Sequence, residues 1–408
     1  MTLAKRLDQR RYEVKLVDRN NFHSFPPLFY QIASSGLAAS NITFPFRREF
    51  SKHTNFTYHM GHVKQIDTVG KRIVTSYETI DYDKLVIAAG TCNNFFGMEG
   101  LDQNVFCIKT VGEAMHTRDE ILDRLERGAL QTDHEQRRKL LSFLVVGGGP
   151  AGVEIAGALG EMKKDVVPRE YPELDPDDIS ITLVEGTGKL LAAMGEKSSE
   201  KALKYLKELM VEVRLNTRMS GYKDKTVSFS DGHSEYWETL IWTAGVHGEP
   251  MPGFPTEAIG HGSRIIVDRF NRVVGLEDSV MSIGDIALMT TDKYPHGHPQ
   301  VAQPAIQQAR CLAYNLNKGA FTRQFEYRDK GSMATVGKNK AVAQLPKMFF
   351  GGRLAWWVWM AIHLMSLVGM RNKLNVMLNW MWNYCTYSTS LRLLLRPTKY
   401  PIRKHWGD

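Results

Sequence analysis

The chain has 408 residues, 43% of them hydrophobic and 24% charged, and 52 basic against 44 acidic residues give a net charge of +8. This length suits two or three domains, and a composition near the globular average excludes a disordered, collagen-like or disulfide-stapled protein. No charged segment followed by an apolar one opens the sequence, so no signal peptide is predicted. The four cysteines form no CxxC motif and indicate a reducing compartment: Cys92, Cys107, Cys311 and Cys385.

The excess of basic residues has two interpretations. Nucleic-acid binding is one, but no nucleic-acid motif accompanies the charge, so no such partner is predicted. Much of the charge lies in the last fifth of the chain beside tryptophans and leucines. That placement favours an anionic membrane surface.

The chain begins with the second half of a dinucleotide-binding unit. Residues 2–10 predict a short helix, and residues 12–17 predict a strand that ends in Asp18. A carboxylate at that place in a βαβ unit accepts hydrogen bonds from a ribose hydroxyl, although an acidic residue can also simply end a strand. A first strand and a glycine-rich turn should precede this helix, and we expect that about a dozen residues were lost through a late start or a truncation.

The second unit is complete. Residues 144–146 predict a buried strand, residues 147–152 read Gly-Gly-Gly-Pro-Ala-Gly, and a predicted helix follows. In this GxGxxG setting Gly147 makes the tight turn, Gly149 lets a pyrophosphate approach the backbone, and Gly152 lets the helix pack on the strand. The helix N-terminus offers free N–H groups to the phosphates. The alternative, a glycine turn without a ligand, is disfavoured by the strand before it and the helix after it.

An acidic residue also ends the next strand. Residues 179–184 predict that strand, and Glu185 follows it. No arginine stands directly after this glutamate. Glu185 therefore favours NADH, because a 2′-phosphate would meet a carboxylate.

A strand followed by a small-residue turn occurs twice, at residues 85–91 and again at residues 240–246. Short alternating strands precede each copy, for example at residues 71–75 and 226–229. One copy alone could be an ordinary strand end, but the repetition predicts two similar nucleotide-binding domains. A third apolar strand ends in the pair 284–285, Gly-Asp, whose carboxylate could meet a chain of sugar-like hydroxyls.

Taken together, these residues resemble the flavoproteins that have two dinucleotide-binding domains and, among them, the type II (non-proton-pumping) NADH:quinone oxidoreductases. Three stretches carry the narrower resemblance. Residues 21–33 (NFHSFPPLFYQIA) resemble the segment under the isoalloxazine ring, and residues 302–308 (AQPAIQQ) resemble the quinone-site motif AQxAxQ. The apolar tail around residues 371–374 resembles the membrane anchor of that family.

The resemblance implies an α/β fold with two Rossmann-like domains, the first incomplete at its N-terminus, and an amphipathic C-terminal region that anchors the protein to a membrane. It implies an FAD-binding domain in two parts, residues 1–110 and 276–320, the second part carrying the quinone motif. The NADH-binding domain would be residues 111–275, and the anchoring domain would be residues 321–408.

The implied cofactors are FAD and NADH. The residues implied to bind FAD are Asp18, Ala89, Gly90, Thr91, Gly284, Asp285 and Ala302. The residues implied to bind NADH are Gly147, Gly149, Gly152, Glu185 and Gly245.

Three catalytic residues follow from the same resemblance. Glu154 is implied to contact the nicotinamide and deliver protons, which a raised pKa would assist; the alternative is a carboxylate that merely suits the first turn of a helix. Gln303 and Gln307 are implied to bind the quinone, since an amide can donate to a carbonyl without adding charge to a lipid-facing site. Both could also be ordinary residues of a helix N-terminus. His23 is expected to be a packing residue.

The positions of the cysteines sharpen the assignment. Disulfide reductases of this superfamily carry a CxxxxC pair after the first acidic strand end, and residues 18–50 contain no cysteine. Electrons must therefore pass to an acceptor that diffuses in. Three alternatives remain: a sulfide:quinone oxidoreductase, an apoptosis-inducing-factor-like protein, and a truncated or decayed membrane-attached relative without activity.

The C-terminal tail predicts helices that lie in the membrane surface. Residues 354–370 carry no formal charge, but 17 residues span roughly 25 Å of a core about 30 Å thick. Asn375, Asn379 and Asn383 then form a polar stripe that is costly to bury in lipid. The predicted protein is monotopic and peripheral, on the cytoplasmic face of the inner or plasma membrane; a core or homodimer interface is the alternative. Basic residues that would add attraction to anionic lipid are Arg396, Lys399, Arg403 and Lys404.

Overall fold

The computed structural model describes residues 1–249, 251–386 and 390–394. The four basic residues predicted to attract anionic lipid, at positions 396, 399, 403 and 404, lie outside these ranges. Four groups of elements follow one another along the chain: a first domain, a second domain, a return to the first domain, and a C-terminal region.

The first domain is a set of small sheets around short helices. The parallel pair β1–β4 and the antiparallel sheet β5–β6–β7 are its largest ladders. Its strands are β1 (Val14–Asp18), β2 (Phe22–Ser24), β3 (Thr43–Pro45), β4 (Phe56–Met60), β5 (Val63–Asp67), β6 (Arg72–Thr75), β7 (Thr79–Asp81), β8 (Leu85–Ile87) and β9 (Cys92–Asn93). Its helices are α1 (Phe29–Ala33), α2 (Phe46–Glu49) and α3 (Leu101–Asn104).

The helix predicted for residues 2–10 is wrong in extent, because the structure has only a 3₁₀ turn at Ala4–Arg6. The side-chain amide of Asn317 donates to the Arg6 carbonyl oxygen at 2.8 Å and accepts from the Asp8 N–H at 2.9 Å. These two backbone groups are therefore bonded to a distant side chain instead of continuing a helical ladder.

The second domain is built on a five-stranded parallel sheet in the order β10-β17-β11-β12-β13. All five residues of its central strand β11 are buried, as expected of an apolar strand covered on both faces. The strands are β10 (Phe106–Cys107), β11 (Ser142–Val146), β12 (Ser180–Val184), β13 (Glu212–Arg214), β14 (Met219–Lys223), β15 (Thr226–Phe229), β16 (Ser234–Tyr236), β17 (Thr239–Trp242) and β18 (Val246–His247). The helices are α4 (Val111–Leu130), α5 (His134–Leu140), α6 (Pro150–Glu161), α7 (Val167–Glu170) and α8 (Glu196–Glu208).

The predicted repetition of the two domains is confirmed. The sheet β14–β15–β16 in the second domain matches β5–β6–β7 in the first, and each is followed by the strand that leads into a small-residue turn. The antiparallel ladder between β9 and β18 then joins the two turns, pairing Asn93 with Val246 and Cys92 with His247.

The chain returns to the first domain after residue 258. Strand β21 pairs in parallel with β8, which places the Gly-Asp turn that follows β21 beside the turn that follows β8. The elements of this part are β19 (Ile259–Gly260), β20 (Arg264–Ile266), β21 (Val280–Ser282), β22 (Ala287–Leu288) and α9 (Ala302–Lys318).

The C-terminal region is a three-stranded antiparallel sheet followed by two helices. Its elements are β23 (Ser332–Thr335), β24 (Ala341–Leu345), β25 (Met348–Gly351), α10 (Arg353–Ser366) and α11 (Met370–Thr386). Within the described ranges, no helix is both long and apolar enough to cross a membrane.

The two C-terminal helices bury one stripe and expose another. Trp359, Val376 and Trp380 pack into the protein core. Trp356, Met360 and Leu364 are half-buried against this core. Other large apolar side chains of α10 and α11 are exposed, among them Leu354, Trp357, Ile362, Met365, Met370, Leu374, Leu378, Met381 and Trp382. Asn375 and Asn383 are half-buried and Asn379 is exposed, so the polar stripe borders the buried one.

Candidate functional site

The glycine-rich turn after β11 has the geometry predicted for a dinucleotide. Gly147 has φ +111°, and a Cβ there would lie 2.9 Å from the Ala244 nitrogen. A Cβ on Gly152 would lie 1.8 Å from the Gly147 carbonyl oxygen, so only glycine lets α6 begin this close to the strand. A Cβ on Gly149 would meet nothing within 4 Å. That open position, at the N-terminus of α6, is where a pyrophosphate can approach.

Glu185 lies directly beside this turn. One carboxylate oxygen accepts from the Gly148 N–H at 2.6 Å, and the other accepts from the Thr187 N–H at 2.8 Å. The carboxylate is thus fixed at the edge of the turn, where an adenosine ribose would lie. Its position directly after β12 is the one that the sequence predicted.

The turns after β8 and β17 face each other across the β9–β18 ladder. Gly90 has φ +76° and Gly245 has φ +74°, and a Cβ on Gly90 would meet nothing within 4 Å. Ala89 is exposed and Thr91 is half-buried. The two turns therefore lie side by side where the domains join.

Lys109 lies beside the turn that follows β8, and the sequence reasoning missed it. Its ammonium donates to the Thr91 hydroxyl at 2.9 Å, and its charge acts to lower the pKa of Asp285. Lys109 stands just before α4, whose N-terminus is fixed by a capping box between Thr110 and Glu113. A lone lysine before a capped helix carries no sequence signal for a flavin site.

The Gly284-Asp285 turn is held by α9. The Gly284 N–H donates to the buried side chain of Gln308 at 2.7 Å, a contact that the sequence reasoning also missed. The Asp285 backbone oxygen accepts from Arg264 at 3.0 Å, whereas no described residue hydrogen-bonds its carboxylate. Burial raises the pKa of Asp285. A half-buried carboxylate with open acceptor positions suits the hydroxyls of a ribityl chain.

The residues present fit FAD in this domain. Asp18 ends β1, and burial raises its pKa although the Asn20 N–H donates to it at 2.8 Å. Ala302, the first residue of α9, is exposed toward solvent. His23 is held neutral because burial lowers its pKa to about 4, in agreement with a packing role.

Glu154 is buried in the first turns of α6. Its carboxylate accepts from the Thr335 N–H at 3.4 Å, and burial raises its pKa to about 8. A carboxyl group in this state is mostly protonated near neutral pH and can act as a proton donor. The contact also ties the second domain to the C-terminal sheet.

Gln303 and Gln307 bind the backbone of the segment that precedes β23. Gln303 donates to the Gly331 carbonyl oxygen at 2.7 Å, and Gln307 donates to the Arg328 carbonyl oxygen at 2.9 Å. The side-chain oxygens of both glutamines accept from backbone N–H groups of the same segment.

The structure does not bring Gln303 and Glu154 into contact. Strand β23 begins beside Gln303 and ends beside Glu154, and its extended length separates the two by roughly 13 Å. The three predicted catalytic residues therefore lie at the two ends of one strand.

The cysteines are placed as non-redox residues. The Cys92 sulfur lies 3.3 Å from His247 Nε2, where the two domains join, and burial raises the pKa of its thiol. Burial also raises the pKa of Cys107 to about 12. All four cysteines are unpaired, and none of the residues from α1 to α2 supplies a dithiol.

Two family models match the chain. The pyridine nucleotide-disulphide oxidoreductase model matches residues 1–309, and the NDH2 C-terminal domain model matches residues 330–386. Together they cover both nucleotide-binding domains and the two C-terminal helices.

Among known proteins, the chain is similar to the type II NADH:quinone oxidoreductase Ndh of Mycobacterium tuberculosis, with 32% identity over 93% of this chain and 84% of that protein. It is 27% identical to the type II NADH:quinone oxidoreductase of Staphylococcus aureus over 86% of this chain and 87% of that protein. Its fold is similar to that of NDH2 from Plasmodium falciparum in complex with NADH, with a TM-score of 0.87, 20% identity and 97% coverage of both chains. The sulfide:quinone oxidoreductase of Aquifex aeolicus is less similar, with a TM-score of 0.70, 18% identity and coverage of 89% and 86%.

Proposed function

Because this chain belongs to the pyridine nucleotide-disulphide oxidoreductase family and, within it, to the type II NADH:quinone oxidoreductases, we propose that it oxidises NADH and reduces a membrane quinone without pumping protons. The observation that supports this most is the β9–β18 ladder. It joins the turn at Gly90 to the turn at Gly245, so a flavin in one domain and a nicotinamide in the other would share one cleft.

The second domain would hold NADH. The pyrophosphate would lie over Gly149 and the N-terminus of α6, with the adenosine ribose at Glu185. The carboxylate at Glu185 favours NADH over NADPH, because a 2′-phosphate would bring like charges together.

The first domain would hold FAD through the turns at Gly90 and Gly284. Asp285 would accept from ribityl hydroxyls, Asp18 would accept from the ribose, and Lys109 would fix Thr91 at the edge of the ring site. When bound there, FAD would supply the two-electron redox chemistry between NADH and a second substrate. The chain supplies the orientation of the two substrates and the protons.

A quinone is the proposed acceptor because all four cysteines are unpaired and residues 18–50, where disulfide reductases carry their redox pair, contain none. Gln303 and Gln307 would face it at the N-terminus of α9. Each amide nitrogen has two hydrogens and uses one on the backbone of residues 328–331, which leaves one for a quinone carbonyl. Glu154 would supply a proton.

The protein would lie on the membrane by its C-terminal helices. Their exposed side chains include Trp357 and Trp382, residue types that favour the headgroup level. We propose the cytoplasmic face as its location, since NADH is the substrate, and a homodimer as a further use of part of this apolar surface.

Steady-state assays of the purified chain with added FAD test the function. We expect NADH oxidation with menadione or a short-chain ubiquinone, a much lower rate with NADPH, and no reduction of a disulfide substrate. Glu185→Ser should narrow the preference for NADH over NADPH about tenfold without altering the rate with saturating NADH. Disulfide reduction at a rate equal to the quinone rate would contradict the proposal, as would a failure to bind FAD, which would favour an inactive relative.

A further inference from the structure

A cavity of about 150 Å³ lies beneath the two C-terminal helices, away from the glycine turns and the AQxAxQ motif. Tryptophans of α10 and α11 cover it, including Trp359 and Trp380. Its polar lining comes from Tyr30, Glu161 and Thr335, among others. A cavity of this volume with several polar groups has room for water.

Glu161 projects into this cavity from the same helix as Glu154. The two carboxylates are seven residues apart on α6, which is two turns along one face, or about 10 Å. Glu154 accepts from the Thr335 N–H, and Glu161 accepts from the Lys338 N–H. Both carboxylates of this helix are therefore bonded to one short stretch of backbone, residues 335–338.

Tyr30 lines the same cavity as Glu161 and is bonded to Thr335, the residue that binds Glu154. Its hydroxyl is 2.9 Å from the Thr335 hydroxyl and accepts from the Gln31 amide at 2.9 Å. Burial raises the pKa of Tyr30, and the charges of Glu154 and Glu161 both raise it further. The phenol is therefore neutral, and both carboxylates are close enough to affect its pKa.

We propose that Glu161 and Tyr30 relay protons from this cavity to Glu154 during quinone reduction. The proposal rests on the proposed function, in which NADH and a quinone give NAD⁺ and a quinol and take up one proton from solvent.

The transfer balances without forming a charged phenol. Glu161 takes a proton from one cavity water and passes one through a second cavity water to the Tyr30 oxygen. Tyr30 gives its own proton to the Thr335 hydroxyl, which lies 2.9 Å away and releases one toward Glu154. Each hydroxyl gains one proton and loses one, so the net change is one proton moved from solvent to Glu154. In the proposed function Glu154 is the proton donor, and Glu161 acts only through it.

The surroundings of Glu161 give its carboxyl group a pKa near neutrality, so that it can both take up and release a proton. Burial raises the pKa of Glu161 to about 7, and the charge of Asp165 adds to this shift, while Lys338 and Lys340 oppose it. The ammonium of Lys338 donates to the Tyr384 carbonyl oxygen at 2.6 Å. Arg392, which also lines the cavity, pairs with Glu170.

The test is the pH profile of Glu161→Gln in the FAD-loaded protein, with menadione and with ferricyanide as acceptors. Ferricyanide takes up no proton, so its rate should match the wild type. With menadione we expect kcat to fall about tenfold at pH 6, where Glu161 is protonated in the wild type, and the difference to shrink by pH 9. Glu161→Asp should restore most of the rate.

Two further variants separate a relay from a structural role. Tyr30→Phe removes the hydroxyl but keeps the ring that packs edge-on against Trp359, and it should reproduce the pH-dependent loss. The double variant should lose no more than either single one, since both break one path. Met162→Leu changes the cavity lining without removing an exchangeable proton and should leave the profile unchanged.

Several outcomes would overturn the relay. These are an unchanged menadione rate in Glu161→Gln, a loss that is equal at every pH, or an equal loss with ferricyanide. A wild-type protein that reduced ferricyanide but no quinone would instead overturn the proposed function.

Discussion

The two nucleotide-binding domains hold their sites in different ways. In the second domain β11 lies at the centre of five parallel strands, and its glycine turn is bonded on both sides, from Gly147 N–H to Val184 and from Thr243 N–H to Val146, each at 2.9 Å. In the first domain the ladders β1–β4 and β8–β21 are separate, and no described strand joins them.

Side chains replace the missing backbone ladder in the first domain. Gln308 holds Gly284, Arg264 holds the Asp285 backbone, and Lys109 holds Thr91. All three come from elements distant in sequence. A site fixed by a central strand has a local motif, whereas a site fixed by long-range side chains has none.

The largest expected effect is in the second domain. Gly152→Ala would place a Cβ 1.8 Å from the Gly147 oxygen, so we expect a loss of about 3 kcal/mol or more in the free energy of unfolding and no measurable NADH binding. Gly149→Ala is the matched control, because its Cβ meets no protein atom within 4 Å. It should keep the wild-type melting temperature and only weaken NADH binding. Equal melting temperatures for both variants would refute a turn fixed by close packing.

In the first domain the expected effect is on FAD retention rather than folding. Asp285→Asn removes the charge that would accept ribityl hydroxyls, so the Kd for FAD should rise about tenfold, or roughly 1.4 kcal/mol. Flavin absorbance after gel filtration, together with a thermal melt, measures both quantities. Asp278→Asn, at an exposed position, should leave the flavin content unchanged. A large loss of stability in Asp285→Asn would contradict the idea that substitutions at the site of the first domain affect FAD retention and not folding.

A smaller effect is expected where the second domain meets the C-terminal sheet. The pKa of Glu154 is raised from 4.5 to about 8 in the folded protein, so between these pH values the folded state keeps a proton that the unfolded state has lost. Stability therefore falls as the pH rises through this window. Glu154→Gln should melt several degrees above the wild type at pH 8 and at the same temperature at pH 4.5, with slower quinone reduction and an unaltered Kd for NADH.

Glu208 is the control for that prediction, because its pKa is shifted in the opposite direction. The hydrogen bond from Lys340 lowers the pKa of Glu208, so its stabilising contribution is present at neutral pH and is lost on acidification. Glu208→Gln should therefore melt slightly below the wild type at pH 8. If Glu154→Gln behaved like Glu208→Gln, the carboxyl of Glu154 would not be buried and protonated.

The smallest expected effect on the stability of the fold is at the membrane surface. Trp357 and Trp382 are 53% and 64% exposed, and replacing both by serine should reduce cosedimentation with phosphatidylglycerol vesicles about tenfold. Val69→Ser, at a side chain that is 94% exposed in the first domain, is the control and should change nothing. Neither change should lower the melting temperature by more than a few degrees, since more than half of each tryptophan is exposed, although the Trp357 ring packs against Trp356 and Tyr384. Equal vesicle binding by the double variant would favour a protein interface on this surface.

Local patterns predicted the second domain well. Gly147 and Gly152 could be placed from the order of strand, turn and helix, because they lie in one continuous stretch of sequence. Glu185 could be placed because it directly follows a strand, although its partner Gly148 lies far from it in the sequence. The helix predicted for residues 2–10 failed because its backbone groups bond to Asn317, more than 300 residues away.

The other contacts that the sequence did not predict have the same cause. Lys109 and Gln308 act on residues of other elements, and the amides of Gln303 and Gln307 turn out to bind backbone groups that no spacing predicts. Likewise, Glu161 is the last residue of α6, two turns beyond Glu154. From sequence alone, an acidic residue at such a place is expected to face solvent. Only its burial against the C-terminal segment distinguishes it.

Rapid-mixing spectroscopy of the FAD-loaded protein tests the path of the electrons most directly. We expect anaerobic NADH to bleach the flavin absorbance at 450 nm (a general property of flavins), and menadione to restore it at least as fast as steady-state turnover. Reoxidation that was slower than turnover, or that required an added dithiol or disulfide, would contradict a direct transfer from the flavin site to a quinone.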